Sequence, residues 1–129
     1  MVIAGVADHP CDGPRDHHGG RRPRHRGTFV DSRPKGDSRG DFVAFEAHLL
    51  TDGRPVGRER GTCIVTNART HVPLCTMGWV LRDGTLTTSG PTAADPPFTM
   101  AIVGGTGRFA GARGTALVAV RSVTFRLLP

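Results

Sequence analysis

The feature that most limits what this chain can fold into is a glycine-dense segment between two short apolar runs near its end. The runs are Phe98–Val103 and Thr115–Val120, both rich in β-branched and apolar residues. Five glycines lie from position 104 to 114. Glycine tolerates positive φ, so this pattern predicts two strands joined by a tight corner. Phe109, the large apolar residue of the corner, is expected to anchor it in an apolar core.

The segment Gly105-Thr106-Gly107 also invites comparison with a dinucleotide-binding loop. Such a loop needs a following helix, a second parallel strand and an acidic residue about 20 positions later. Only fifteen residues follow Gly114, and they have the pattern of strands. The structural turn is therefore the preferred interpretation, and phosphate binding is not predicted.

Length and composition favour one all-β domain. A chain of 129 residues fits one modest core, and 18 glycines and 10 prolines favour short strands and turns over long helices. No apolar run approaches the ~18 residues of a membrane span, so no membrane association is predicted. Met1–Ala7 is too short and lacks the basic start of a secretory signal. A cytoplasmic location is expected.

The chain has a net charge of +6, and the first 26 residues hold five arginines against three aspartates and show neither helical nor strand periodicity. We expect residues 1–26 to be a disordered basic tail and residues 27–129 to be the β-barrel domain. The chain has one tryptophan and no tyrosine, so it lacks aromatic platforms for stacking bases, and no specific nucleic acid partner is predicted. The histidines and the cysteine of the tail match no zinc spacing, so no metal is predicted.

Strand patterns recur at roughly ten-residue spacing through the rest of the chain. They are Gly27–Ser32, Phe42–Leu50, Gly61–Asn67, Val72–Arg82, Thr85–Ser89, Phe98–Val103, Thr115–Val120 and Ser122–Leu127. Asp83-Gly84 is a strong two-residue hairpin signal. Seven or eight antiparallel strands without an intervening helix indicate a small closed barrel or a sandwich.

A hairpin centred on Arg69 would place Cys63 directly opposite Cys75. Opposed residues of an antiparallel pair have Cα atoms ~4.5–5.5 Å apart, which is near disulfide range. In a cytosolic chain two buried thiols are the favoured state, and a disulfide is the alternative.

The order of several motifs resembles the allene oxide cyclase and dirigent superfamily from about Phe29 to Leu128. The matching positions are Gly40-Asp41, Phe45, Leu49, Val56-Gly57, Gly61, Cys63, Gly90-Pro91, Ala101–Phe109, Gly111 and Arg113-Gly114. The paired Cys63 and Cys75 look most like bacterial dirigent-like members.

This resemblance implies an eight-stranded antiparallel β-barrel that forms a homo-oligomer, a dimer or a trimer, and holds a hydrophobic small molecule. It further implies a cofactor-independent cyclase or isomerase that folds a polyketide-like or lipid-like biosynthetic intermediate into a ring. A dry cavity would hold the reactive chain in one conformation. The alternatives are a non-catalytic dirigent-like lipophile-binding barrel and a purely structural barrel with a filled interior.

Two departures limit what the resemblance implies. Allene oxide cyclases carry acidic and asparagine residues in their first strand, whereas positions 25–31 here contain neither Glu nor Asn. Dirigent pockets commonly contain tyrosine, which this chain lacks. The specific epoxide chemistry is therefore not carried over.

Glu46 and His48 are the candidate catalytic pair, because positions i and i+2 of one strand share a face. Inside a cavity they would serve as acid and base, and desolvation would favour the protonated form of Glu46. If this face points outward, they are ordinary surface groups, and both alternatives stay open at this point.

Six further residues are the candidate substrate contacts. Cys75, Met77 and Trp79 share a face of one strand and would line a hydrophobic pocket or belong to the core. Phe42 lies on the strand of the candidate catalytic pair, and Asp31 and Arg82 would supply polar contacts near a barrel mouth. Arg108 and Arg113 flank the glycine corner, where they would clamp a substrate carboxylate or form structural ion pairs with Asp41 or Glu59.

Overall fold

The protein is a single antiparallel sheet in a computed structural model that describes residues 2–3, 26–32, 34–36, 38–70, 72–93 and 95–129. The strands are β1 Val2–Ile3, β2 Arg26–Val30, β3 Phe42–Thr51, β4 Arg54–Asn67, β5 Val72–Leu81, β6 Gly84–Pro91, β7 Phe98–Gly107, β8 Gly114–Ala119 and β9 Ser122–Leu127. No α-helix occurs among these residues, so none of them forms an apolar helix that could cross a membrane. The predicted all-β antiparallel barrel is confirmed.

Each strand from β2 to β9 pairs with the next strand along the chain, so the sheet is a simple meander. The short β1 pairs with β9, with Val2 opposite Thr124 and Ile3 opposite Val123. It also lies beside β3, which brings the two ends of the sheet close together. The curled sheet thereby encloses one of its two faces.

Strict alternation of burial shows which face is enclosed. Along β5 the odd-numbered residues Pro73, Cys75, Met77 and Trp79 are buried, whereas the even-numbered residues between them are exposed or half-buried. This is the period of two that the sequence predicted. The enclosed face carries the core, formed by Phe45, Leu49, Cys63, Cys75, Met77, Trp79, Leu86, Phe98, Met100, Ile102, Phe109, Ala116, Val118, Val123 and Phe125.

A glycine corner joins β7 to β8 as predicted, but it is shorter than predicted, because β7 continues to Gly107 and β8 begins at Gly114. Gly107 has φ +60°, and a Cβ there would collide with the carbonyl oxygen of Asp83, so only glycine fits without strain. The backbone amide of Arg108 donates to that same carbonyl over 2.9 Å. Phe109 is buried in the core, which confirms that it anchors the corner.

Several predicted boundaries are corrected. The strand that was predicted to begin at Gly61 begins at Arg54, because β3 is long enough to pair with the whole segment. Val2, Ile3 and Arg26 of the predicted tail belong to strands. The rest of that tail lies outside the described residues.

The hairpin of β4 and β5 places Cys63 opposite Cys75, as the register predicted. The two sulfurs form a disulfide, so the preference for free thiols was wrong. The Cα atoms are 4.1 Å apart, a separation that a non-hydrogen-bonded antiparallel pair brings about. The strand register brings the two cysteines close enough to bond, whereas the expectation of free thiols depended only on the expected cytosolic location.

Candidate functional site

The site that carries the most unusual chemistry is a carboxyl group inside the barrel, at Glu59 of β4. The residue is 1% exposed and lies on the enclosed face. In the ladder it stands between Ala47 of β3 and Trp79 of β5. The next residue in the same row, opposite Trp79, is Leu86 of β6. A single acidic group is thus placed in an apolar row.

Burial among these groups raises the pKa of Glu59 to about 8. The low-dielectric surroundings disfavour the charged carboxylate, so the carboxylic acid form predominates at neutral pH. An acid of this kind donates a proton or a strong hydrogen bond to a ligand oxygen or nitrogen. After donation the anion is a strong base, which suits it to proton relocation within one substrate.

The aromatic wall beside Glu59 is fixed by hydrogen bonding and packing. The indole Nε1 of Trp79 donates to Thr88 Oγ1 over 3.0 Å, and both side chains are fully buried. Thr88 Oγ1 in turn lies 3.7 Å from the sulfur of Met100. The ring of Phe125 meets the indole edge to face, with centroids 5.3 Å apart. These contacts hold the indole in one orientation next to the carboxyl group.

Three of the predicted substrate contacts lie together on this enclosed face. Cys75, Met77 and Trp79 are each at most 1% exposed and face the core. Cys75 is tied up in the disulfide, and its sulfur lies 3.6 Å from Thr92 Oγ1. Trp79 belongs to the row that contains Glu59, and Met77 lies in the next row, opposite Gly61.

Glu46 and His48 lie on the opposite, outer face of β3, so the second of the two alternatives for this pair is the observed one. The Glu46 side chain is 42% exposed. Its Oε1 accepts a hydrogen bond from Arg58 Nη1 over 3.2 Å and lies 3.5 Å from Arg60 Nε. His48 is exposed and stands opposite Arg58 in the ladder. The placement inside a cavity is corrected, because the register assigns the enclosed face to the odd-numbered residues of β3.

The remaining predicted contacts are scattered. Phe42 is half-buried on the outer face of β3. Asp31 is exposed just after β2, at the end of the barrel where β3 begins. Arg82 is exposed in the turn between β5 and β6, at the other end. Asp31 and Arg82 therefore do not share one barrel mouth.

The segment from Ser32 to Asp41 has a structural role. The Asp41 carboxylate accepts from the backbone amides of Ser38 at 3.0 Å and Ser32 at 2.8 Å, and from Ser38 Oγ at 2.8 Å. The hydrogen bond from the Ser38 backbone lowers the pKa of Asp41, which stays ionised and satisfied. Arg108 lies 3.7 Å from Asp83, so the ion pair predicted for it with Asp41 or Glu59 was wrong.

Sequence reasoning missed Glu59 because it started the second strand at Gly61. With the strand extended to Arg54, a period of two places position 59 on the same face as Gly61 and Cys63. The usable signal was that Cys63 already marked this face as enclosed. Glu59 therefore lies on the same face as the buried Cys63, four residues before it. An acidic residue on a face that the hydrophobic pattern assigns to the core is a conflict that points to function.

An open groove of about 570 Å³ lies on the outer face of the sheet. Small side chains from neighbouring strands form its floor, and Glu46 and Arg60 stand at its wall. Glu59, by contrast, is 1% exposed, so a ligand reaches its carboxyl group only if side chains of the enclosed face move. Among the described residues, no cluster of three or more His, Cys, Asp or Glu side chains could hold a metal ion.

Comparison with known proteins assigns this architecture. A family model described as allene oxide cyclase barrel like domain matches residues 27–126. The chain belongs to this family. The matched range spans β2 to β9 and contains Glu59, Trp79 and Thr88, so the buried carboxyl group lies within the family domain. No curated protein matches the chain.

Twelve chains of solved structures are similar to this member of the allene oxide cyclase barrel like family. One of them is a pyocyanin demethylase, which is 29% identical. The match covers 80% of this chain and 92% of the demethylase chain, with a TM-score of 0.74. The likeness therefore extends over nearly the whole barrel of that enzyme.

Proposed function

We propose that this protein binds a hydrophobic small molecule inside the barrel and catalyses its cyclisation or isomerisation, with Glu59 as the proton donor. The observation that carries this proposal is the position of Glu59, a carboxyl group on the enclosed face whose burial raises its pKa to about 8. The fold of a family with small-molecule chemistry supports it, and so does the likeness to an enzyme named for acting on pyocyanin.

The chemistry requires only proton relocation. The Glu59 carboxylic acid gives its proton to a carbonyl or other basic atom of the bound intermediate, which makes a neighbouring carbon electrophilic. A carbon–carbon or carbon–oxygen bond then forms, or a double bond shifts. The carboxylate takes up a proton from another position of the same molecule and returns to its acid form. Nothing is added or lost overall, so a cofactor is not part of the proposed reaction.

The surroundings of Glu59 explain how such a step would be made selective. The fixed indole of Trp79 provides a rigid flat wall, and exclusion of water prevents competing hydrolysis of a reactive intermediate. Met77 and Met100 provide adaptable surfaces that accommodate a flexible apolar chain. A polyketide-like or lipid-like substrate matches these properties.

A second candidate function is that of a non-catalytic barrel that binds a lipophilic intermediate and directs a spontaneous reaction. The observation that favours it is the composition of the enclosed face, which is formed mostly by apolar side chains that suit a lipophilic ligand. In that case shape alone selects the product, and the carboxyl group only makes a hydrogen bond to the ligand.

The decisive experiment starts from the full chain purified from cells and analysed by native mass spectrometry for a co-purified small molecule. Pyocyanin and a hydrophobic naphthalene dye serve as defined probes, and binding is followed through the fluorescence of Trp79, the single tryptophan of the chain. For any converted compound, Glu59→Gln is expected to retain binding and to lower kcat by at least about 100-fold, the contribution of a general acid.

Glu46→Gln is the matched control, because it makes the same chemical change on the outer face of the neighbouring strand, and its turnover should equal that of the wild type. Unchanged kcat in Glu59→Gln with altered product selectivity would establish the second function. If no compound and neither probe perturbs Trp79, ligand binding in the interior is refuted and the structural barrel is left.

A further inference from the structure

The barrel end at which β7 turns into β8 is closed by the glycine corner, residues 108–113. Phe109 folds back from this corner over Gly105 of β7, where an added Cβ would lie 2.9 Å from Phe109 Cβ. Gly105 pairs with Leu86, which belongs to the ladder row that contains Glu59. Phe109 is 8% exposed and packs in the core. The corner therefore closes the interior along the row of the buried carboxyl group.

Partly exposed apolar side chains surround this closure. Of the four described residues that are partly buried and pack against the core, three border this end of the barrel. Val56 lies near the start of β4, Leu81 ends β5, and Ala112 belongs to the corner itself. The pairing of the strands brings the start of β4 and the ends of β5 and β7 to the same end of the sheet. Since sites for small molecules are lined mostly by apolar side chains, this rim suits the passage of a hydrophobic molecule.

The corner is anchored only at its two ends. The amide of Arg108 donates to the turn between β5 and β6 over 2.9 Å, and the carbonyl of Arg113 accepts from the chain just after β9 over 2.8 Å. Within the described part of the chain, the backbone amides of residues 109–112 that form hydrogen bonds donate to carbonyls of residues 106–109. The ion pair of Arg108 with Asp83 is exposed, so it adds little. The packing of Phe109 is therefore the main contact that holds the corner shut.

The opposite end of the barrel is closed by stronger bonds. A disulfide joins β4 to β5 on that side. The carboxylate of Asp41 accepts three hydrogen bonds from Ser32 and Ser38, and its charge makes them stronger than bonds between neutral groups. The carbonyl of Asp41 also accepts from the amide of Val65 in β4 over 2.8 Å. Opening this end breaks covalent or charge-assisted bonds, whereas opening the corner displaces one apolar side chain.

We propose that residues 108–113 are the gate of the barrel, and that Phe109 is the residue whose displacement lets a hydrophobic ligand reach Glu59. This inference rests on the proposed function, because it takes the ligand to bind inside the barrel. Segments with few bonds to the rest of a fold open locally without global unfolding, and loops of this kind commonly admit substrates. The space that the Phe109 ring vacates then limits the size of the ligand that enters.

Hydrogen exchange of the ligand-free full chain tests the opening itself. The amides of Phe109, Ala110 and Ala112 are hydrogen-bonded, so their exchange requires the corner to open. We expect them to exchange through a local opening that low concentrations of denaturant do not accelerate. The amides of Val65 and Thr92 at the opposite end should instead exchange through larger unfolding, which denaturant accelerates. Corner amides that exchange only together with those two would overturn the gate.

Stopped-flow binding of the hydrophobic naphthalene dye, followed through Trp79 fluorescence, tests the path. Phe109→Ala should raise the association and dissociation rate constants by at least about 10-fold each, so Kd should change less than either. Phe98→Ala is the matched control, because it removes a phenylalanine ring of similar exposure, 7%, at the opposite end of β7, and its rate constants should equal those of the wild type. Phe109→Leu, with an intermediate expected effect, serves in case Phe109→Ala fails to fold.

The outcomes separate the gate from the proposed function. If the dye or pyocyanin binds and the Phe109 variants leave both rate constants unchanged, the ligand takes another path and only the gate is refuted. The same conclusion holds if Phe98→Ala accelerates binding equally, since the effect then comes from a loosened core. If neither probe binds to the wild type or to any variant, the proposed function is refuted and the gate with it.

Discussion

The two faces of the β3–β4 hairpin treat the same functional group in opposite ways. Glu46 and Glu59 stand one register step apart, opposite Arg60 and Ala47 respectively. On the outer face Glu46 is partly exposed and forms ion pairs with Arg58 and Arg60. On the enclosed face Glu59 is surrounded by core side chains, and its pKa rises to about 8. Two glutamates at neighbouring positions of the ladder therefore lie on opposite faces of the sheet, one partly exposed and one buried.

The comparison teaches that function in a small barrel is assigned by the face and not by the residue type. Both glutamates lie on long strands in which buried and more exposed side chains alternate. Only the enclosed one has the desolvation that makes a carboxylic acid available at neutral pH. The outer one is available for recognition, where exposed charges set orientation more than affinity.

The largest expected effect is on the enclosed face, in the pH dependence of stability. Below about pH 4.5 the folded and unfolded chains both hold the Glu59 proton. Between that pH and about 8 the unfolded chain releases the proton while the folded chain keeps it, so rising pH favours unfolding. The free energy of unfolding should lose an amount on the order of 5 kcal/mol over this window through Glu59.

Denaturant titrations at several pH values measure this loss, and Glu59→Gln should remove the Glu59 component and become the more stable protein above pH 8. Trp79 fluorescence should titrate with a midpoint of about 8 in the wild type and not in the variant, because the indole stands opposite Glu59. A variant with the same pH slope as the wild type would show that Glu59 is solvated and would erase the contrast with Glu46.

The second effect concerns the far end of the same enclosed face, where the disulfide joins β4 to β5. Replacing Cys63 and Cys75 together by alanine should lower the free energy of unfolding by about 3 kcal/mol, because the closed loop of 12 residues no longer restricts the unfolded chain. Denaturant titration with and without a reducing agent measures it. Reduction should bring the wild type to the stability of the variant, and a reduced wild type of unchanged stability would contradict the prediction.

The third effect compares two glycines of neighbouring strands, one on each face. A Cβ at Gly61 would lie 2.5 Å from Phe45 Cζ inside the barrel, whereas at Gly78 the nearest atom is the Arg60 carbonyl oxygen at 3.7 Å. Gly61→Ala should cost roughly 1–3 kcal/mol through overpacking. Gly78→Ala should be neutral or stabilise by up to about 1 kcal/mol, because alanine restricts the unfolded chain. Thermal and denaturant unfolding measure both, and equal effects would mean that the two faces are packed alike.

The smallest effect is on the outer face. Glu46→Gln should change the free energy of unfolding of the monomer by at most about 1 kcal/mol, because exposed ion pairs contribute little and are screened. The difference should shrink further as salt is added, and denaturation at low and high ionic strength measures it. A large loss that salt does not reduce would mean that Glu46 is part of the folded core.

Much of the fold could be predicted because strands show an alternation of apolar and polar residues and are separated by turn residues. Asp83-Gly84 correctly marked a hairpin between β5 and β6, but the two-residue turn is Arg82-Asp83 and Gly84 pairs with Leu81, one residue away from the predicted register. The pairing of Cys63 with Cys75 followed from the centre of one hairpin. The glycine corner with its anchor Phe109 was equally local. These features depend on contacts within a few residues or within one hairpin, which a pattern can show.

The site was less predictable because an alternation with a period of two separates the two faces of a strand but does not show which face is buried. Glu46 and His48 form a correct pair on one face of β3, but alternation alone does not tell whether that face is enclosed. The burial of Trp79 and the mostly apolar row around it decide this, and they depend on how the strands of the whole sheet curl together. Glu59 was missed for the related reason that the start of β4 is set by the length of its partner β3.

The sequence by itself determined the class of fold, the strand order within hairpins, the glycine corner and the opposition of the two cysteines. These follow from backbone sterics and short-range pairing. The tertiary structure alone decided which face of each strand is enclosed, that the cysteines are joined, and that Glu59 is the acid within the barrel. The reason is that desolvation is a property of everything packed around a group, and in a meander most of those neighbours come from distant parts of the chain.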